Sequence, residues 1–140
     1  MLRRIGAVLA GIVVGAALAL GTDAVLHATG VFPPWGQRVG DGLLMLATTY
    51  RAIFNVASGY VTAHLAPDRP IAHAVVLGTL GLVVGLAGAI ATWNAGPAYE
   101  PHWYPVAVAL ISLPCSWAGG RIALAMTRSA SPLRAGTTVE

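Results

Sequence analysis

Residues 74–93 read AVVLGTLGLVVGLAGAIATW, twenty residues without one ionisable side chain. As a helix rising 1.5 Å per residue this stretch is about 30 Å long, the thickness of the hydrocarbon core of a bilayer. Upstream, Ile5–Thr22 is equally free of ionisable groups, and helical composition continues to Gly30. Downstream, Trp103–Gly120 is free of them and continues past Arg121 to Met126. Between these lies Gly42–Ala63, apolar except for Arg51, Asn55 and a few hydroxyls. No segment alternates polar and apolar residues at period two, as a lipid-exposed barrel strand must. The prediction is an all-α polytopic membrane protein with four transmembrane helices in an antiparallel bundle. The spans fall at about 5–30, 42–65, 71–93 and 103–126. Together they form one domain over residues 1–128, with a flexible cytoplasmic tail over 129–140.

Composition leads the same way. The chain of 140 residues is 56% hydrophobic and 9% charged, with a mean hydropathy of +0.73. Soluble domains carry about 25% charged residues, so this chain cannot cover a water-facing surface. A net charge of +3 raises nucleic acid as a partner. The eight basic residues, all Arg, are scattered singly rather than gathered into a stripe with aromatic platforms, so no nucleic-acid partner is expected. Cys115 is the lone cysteine and reads as a small buried filler.

Phe32-Pro33-Pro34-Trp35-Gly36 and Pro67-Asp68-Arg69-Pro70 punctuate the first two connections, and Gly96, Pro97, Pro101 and Pro105 the third. Arg3, Arg4, Arg69, Arg121, Arg128 and Arg134 collect on one side, against Arg38 on the other, which places both termini in the cytoplasm. Phe32, Trp35, Trp93, Tyr99, Trp103 and Tyr104 form an aromatic belt on the external side. A rival reading makes the N-terminus a cleaved signal peptide ending at Ala17-Leu18-Ala19, leaving three spans.

Helices associate in lipid through close backbone contact, which requires small residues at spacings of three and four. Gly78, Gly81, Gly85 and Gly88 line one face of the third span, and Gly11 and Gly15 one face of the first. These two faces are expected to pack on each other, within one chain or between two. Gly11–Gly15 and Gly81–Gly85 also match at an offset of 70, as do Arg51 and Arg121, which raises an internal repeat. Pro114, inside the fourth span, predicts a kink.

Arg51 is the most informative residue. It lies ten residues past Asp41, about 15 Å deep, where an Arg costs about 2.5 kcal/mol or more unless compensated. Thr48, Arg51, Asn55, Ser58 and Thr62 form a polar stripe that should face other helices. Asp23 is the acid within a span, at a depth a long Arg can bridge. An Asp23–Arg51 ion pair is therefore predicted, braced by Asn55 or Tyr50, with Asp23→Asn tolerated better than Arg51→Ala. His27 and His102 belong to the external side, and His64 and His73 flank the cytoplasmic turn. Neither pair supplies the three or four ligands of a metal site, and no enzyme or phosphate-binding motif is present. No metal, cofactor or catalytic residue is expected.

Tyr50-Arg51, Phe54, Gly59-Tyr60, Ala63, Leu65-Ala66-Pro67-Asp68-Arg69-Pro70, His73-Ala74 and Leu77-Gly78, together with Thr22-Asp23, Phe32-Pro33-Pro34 and Ala91-Thr92-Trp93, resemble small four-span bacterial inner-membrane proteins of unassigned function. The resemblance covers roughly residues 1–128 and implies a bacterial inner-membrane location. Small multidrug transporters also have four spans and an acid in the first, but theirs is a Glu near the middle of the helix, whereas Asp23 lies near its outer end. The expectation is a non-enzymatic accessory or structural component whose partners are the lipid bilayer and either further copies of itself or a larger membrane complex. The alternative is a small homo-oligomeric ion-coupled transporter or channel using Asp23 and Arg51. A membrane enzyme built on His27, His102 and Glu100 is a third option.

Overall fold

The computed structural model describes residues 1–96 and 101–130. Helix α1 spans Leu2–Ala28, α2 Asp41–Leu65, α3 Pro70–Ala91 and α4 Trp103–Ala130. The expectations resting on Pro97, Tyr99, Glu100 and Arg134, and the tail beyond Ala130, lie outside the described residues. Three of the helices, α1, α3 and α4, are long and apolar enough to cross a membrane. Helix α2 matches them in length but not in apolarity, because Asp41, Arg51, Asn55 and His64 interrupt its hydrophobic residues.

The helix ends follow local chemistry. Thr29 ends α1 just before Gly30, whose φ of +74° is left-handed, and its hydroxyl donates to the Val25 carbonyl. Pro70 opens α3 at a position where a missing N–H costs nothing. Arg69, which caps that helix, is forced to φ +42°, a conformation that costs a non-glycine residue about 1–2 kcal/mol. Helix α4 runs through Pro114 and continues past the expected end at Met126. Ser129, expected in the tail, is still helical and bonds the Ala125 carbonyl.

Size is distributed inside-out. Among the described residues, seven of the ten buried apolar residues are alanine, and Ser58, Thr62, Ser112 and Ser116 are buried with them. Large side chains face outward instead: Val13 and Leu20 on α1, Met45 and Ile53 on α2, Val84 and Ile90 on α3, Leu110 and Met126 on α4. Water would oppose such a surface. Hydrocarbon does not, and it makes close backbone approach the main route to association.

Within the chain, the expected packing of the first span on the third is slight. The broadest contacts are those of α4 with α2 and with α3, whereas α1 rests mainly on α2 and touches α3 lightly. Among the described residues no Cα of α1 comes within 8 Å of one in α4. The glycines account for this pattern. On α3, a Cβ at Gly78 would lie 2.8 Å from Leu113 Cα, and one at Gly85 2.8 Å from Ala109 Cβ, both on α4, while Gly81 abuts Ser112. Gly88, counted with them from the sequence, would place a Cβ in open space. On α1, Gly11 receives Thr62 and Gly15 receives Ser58, both from α2, with Leu77 of α3 also reaching Gly11. Gly59 of α2 and Gly119 of α4 each meet the other helix's backbone, and a Cβ at Gly120 of α4 would lie 2.7 Å from Ala74 Cβ on α3.

The offset-70 repeat fails on the same contacts. Shifting the Gly15–Ser58 pair by 70 would match Gly85 with Arg128, but Gly85 meets Ala109. Arg121, the counterpart of Arg51, is exposed and lies over the Trp117 ring at 5.4 Å.

Candidate functional site

Helix α1 is held to the rest of the molecule at three levels, and the middle of the chain's chemistry lies at one of them. At one end Arg4 grips Asp68 in the α2–α3 turn through two bonds, Nε to Oδ1 at 3.0 Å and Nη2 to Oδ2 at 2.7 Å. Halfway along, Gly11 and Gly15 accept the Thr62 and Ser58 side chains. Towards the other end, Asp23 receives two donors from α2. Arg51 Nη2 lies 2.5 Å from Asp23 Oδ2, and the Tyr50 hydroxyl donates to Oδ1. Consecutive residues 50 and 51 point about 100° apart on a helix, so the carboxylate is pinched between them.

Both charges are largely withdrawn from the surface, with side-chain exposures of 28% for Arg51 and 17% for Asp23. Tyr104, at the start of α4, interacts electrostatically with both. Its position among the aromatics of the external belt concealed this role in the sequence. Arg51 Nε is buried without a partner, so the guanidinium spends part of its donor capacity unmet. Asn55 does not brace the pair: its side-chain amide forms no hydrogen bond among the described residues, although its backbone carbonyl accepts from Ser116 Oγ at 3.5 Å. Elsewhere on the expected stripe, Thr48 and Ser58 donate to the Leu44 and Phe54 carbonyls, whereas the Thr62 hydroxyl, fully buried in the notch at Gly11, has no hydrogen-bond partner among the described residues.

Two crevices flank α1 and meet at Gly15 and Asn55. One, about 260 Å³, opens between α1 and α3 and is lined by Ile12, Ala16, Leu77, Leu80 and Val84 with Asn55 and Ser58 at its floor. The other, about 150 Å³, lies beneath α1 on the side of α4 and is lined by Gly15, Ala19, Arg51, Phe54, Asn55 and Val108.

The histidines are each engaged apart from this centre. His27 Nδ1 donates to the Pro33 carbonyl at 2.7 Å while its ring stacks on Trp35. His102 Nε2 donates to the Trp93 carbonyl at 2.7 Å and stacks on the Trp93 ring. His64 stacks on Tyr60, and His73 donates to the Arg69 carbonyl. Among the described residues no three His, Cys, Asp or Glu side chains cluster as metal ligands would.

The arrangement Asp23–Tyr50–Arg51 can therefore do two things chemically: neutralise a guanidinium inside an apolar molecule, and lock the register of α1 on α2. No protein-family model matches the chain, and comparison with curated proteins and with solved structures found no match to it.

Proposed function

We propose that this protein is a non-enzymatic integral protein of a bacterial inner membrane, a four-span antiparallel bundle that serves as an accessory or structural component within an assembly of its own copies or a larger membrane complex. The observation that carries this reading is the closure of its polar centre. Asp23 is occupied by both Tyr50 and Arg51, and the adjoining crevice is small and walled mainly by Gly15, Ala19, Phe54 and Val108. A charge pair so engaged acts as a latch between helices rather than as a station for a passing ion.

Membership of α2 among the spans rests on its outward face, where Met45 and Ile53 are more than half exposed like the lipid-facing residues of its neighbours. The direction of the helices rests on contact order. Gly11 meets Thr62 while Asp23 meets Arg51, so α1 and α2 run oppositely, and Gly78–Leu113 against Gly85–Ala109 makes the same case for α3 and α4. The Arg4–Asp68 bridge brings the N-terminus and the α2–α3 turn to one end, the end that the excess of Arg assigns to the cytoplasm.

Purification in nanodiscs followed by native mass spectrometry tests the accessory role. A complex of defined stoichiometry, with itself or with other membrane subunits, is the expected result. A monomer that drives ion flux in proteoliposomes, with flux lost in Asp23→Asn, would replace this reading with the small ion-coupled transporter. Reporter fusions at either terminus are expected to report the cytoplasm.

A further inference from the structure

The Asn55 amide and the crevice between α1 and α3 have no part in the latch. Gly15 is the midpoint of α1, and Leu80 and Gly81 that of α3, so the crevice opens halfway along two helices able to cross a membrane. Its walls are Ile12, Ala16, Leu77, Leu80 and Val84, and an unpaired amide sits at its floor. Hydrocarbon fills such a space but leaves the amide unmet, at a cost of a few kcal/mol in a medium without water. Gly15 lies about 20 Å from either end of α1, beyond the reach of phospholipid ester groups, which stay at the edge of a hydrocarbon layer about 30 Å thick. For a single copy of the chain, a polar group that reaches the amide at that depth belongs to a molecule that dissolves in hydrocarbon whole.

From this we infer that the α1–α3 crevice is a lateral binding site for a lipid-soluble ring ketone of the quinone class. The apolar ring lies between Ile12, Ala16 and Val84, and a ring carbonyl accepts a hydrogen bond from the Asn55 Nδ2. The size agrees: an apolar cavity of about 150 Å³ takes benzene, and this one, at about 260 Å³, takes a substituted ring and the start of its tail. The site rests on placing these helices within the bilayer, as proposed above.

The experiment is a titration of the full chain in phosphatidylcholine nanodiscs with decylubiquinone, and with decylbenzene as a probe that has the tail but no carbonyl. Saturable decylubiquinone binding is expected, at least tenfold tighter than that of decylbenzene. Asn55→Leu breaks no side-chain hydrogen bond, so it should keep the parent's thermal midpoint and bring decylubiquinone down to the decylbenzene level. Ala16→Phe, which fills the crevice, should abolish both. Equal binding of the two probes, unchanged affinity in Asn55→Leu or Ala16→Phe, or no saturable binding would overturn the site. Asn55→Cys in a Cys115→Ala background separates the two failures. Resistance to a membrane-impermeant maleimide keeps the helices in the bilayer whatever the titration gives, and labelling would overturn their placement together with the site.

Discussion

The two halves of the pair keep different partners when the other is removed, and at the residue scale this argues for the opposite ranking to the one read from the sequence. In Asp23→Asn the guanidinium keeps its charge and loses its counter-ion, with Nε already unpartnered. Leaving one buried charge alone costs about 3–5 kcal/mol. In Arg51→Ala the carboxyl keeps the Tyr50 hydroxyl as a partner, so the loss is about 1–3 kcal/mol. Thermal unfolding in nanodiscs should therefore rank the parent above Arg51→Ala and Arg51→Ala above Asp23→Asn, and equal midpoints for all three would remove the latch. Arg69 offers the opposite kind of test. Its carbonyl takes the Ala72 and His73 N–H groups, which any residue would supply, but its φ of +42° suits glycine better. Arg69→Gly should stabilise the protein by about 1 kcal/mol, read as a rise in the unfolding midpoint.

Pairs of helices in this protein are built around absent side chains. Gly59 and Gly119 make reciprocal contacts in which a Cβ would strike the backbone at Ser116 and at Val56 and Tyr60. Backbone cannot step aside as a flexible side chain can, so Gly59→Ala or Gly119→Ala should push α2 and α4 apart and cost several kcal/mol, within the range of overpacked cores or above it. Gly88→Ala, a change of the same chemistry in the same kind of helix, meets nothing within 4 Å and should be neutral or stabilising by up to about 1 kcal/mol through helix propensity. Parallel unfolding curves for the three variants check both halves of this expectation. A stripe of glycines is thus legible in the sequence, but which of them are working contacts is not. Gly78, Gly81, Gly85 and Gly88 lie on one face at spacings of three and four, yet only the first three meet another helix.

At the scale of the molecule, and on the proposed four-span reading, α2 is the helix that the others make possible. It touches α1, α3 and α4, and its Arg51 is neutralised by a residue of α1. Taken alone it carries a central Arg that costs about 2.5–3.5 kcal/mol to insert. An isolated α2 segment in a translocon insertion assay should insert poorly, and Arg51→Leu should move it towards full insertion. In the intact chain, Arg51 should be inserted efficiently when α1 carries Asp23 and less so with Asp23→Asn. Unchanged insertion of the isolated segment on Arg51→Leu would show that the charge is not what limits α2.

The sequence by itself determined the helical class, the presence of long apolar segments and the partnership between a deep Arg and the acid one helix earlier. These follow from quantities that are local or nearly so: the length of apolar runs, the breaks at Pro and Gly, and the scarcity of charges able to compensate one another. Tertiary structure alone decided which glycine faces which helix, that α1 rests on α2 rather than on α3, that Tyr50 and Tyr104 attend the ion pair while Asn55 faces a crevice, and that α1 has no close approach to α4 among the described residues. The reason is physical. In lipid, small residues on any face are compatible with close contact, and rotation of a helix by a fraction of a turn changes its neighbour without changing its hydropathy. Only the simultaneous fit of the Thr62 and Ser58 side chains into Gly11 and Gly15, and of α4 into Gly59 and Gly78, selects one arrangement among many of similar composition.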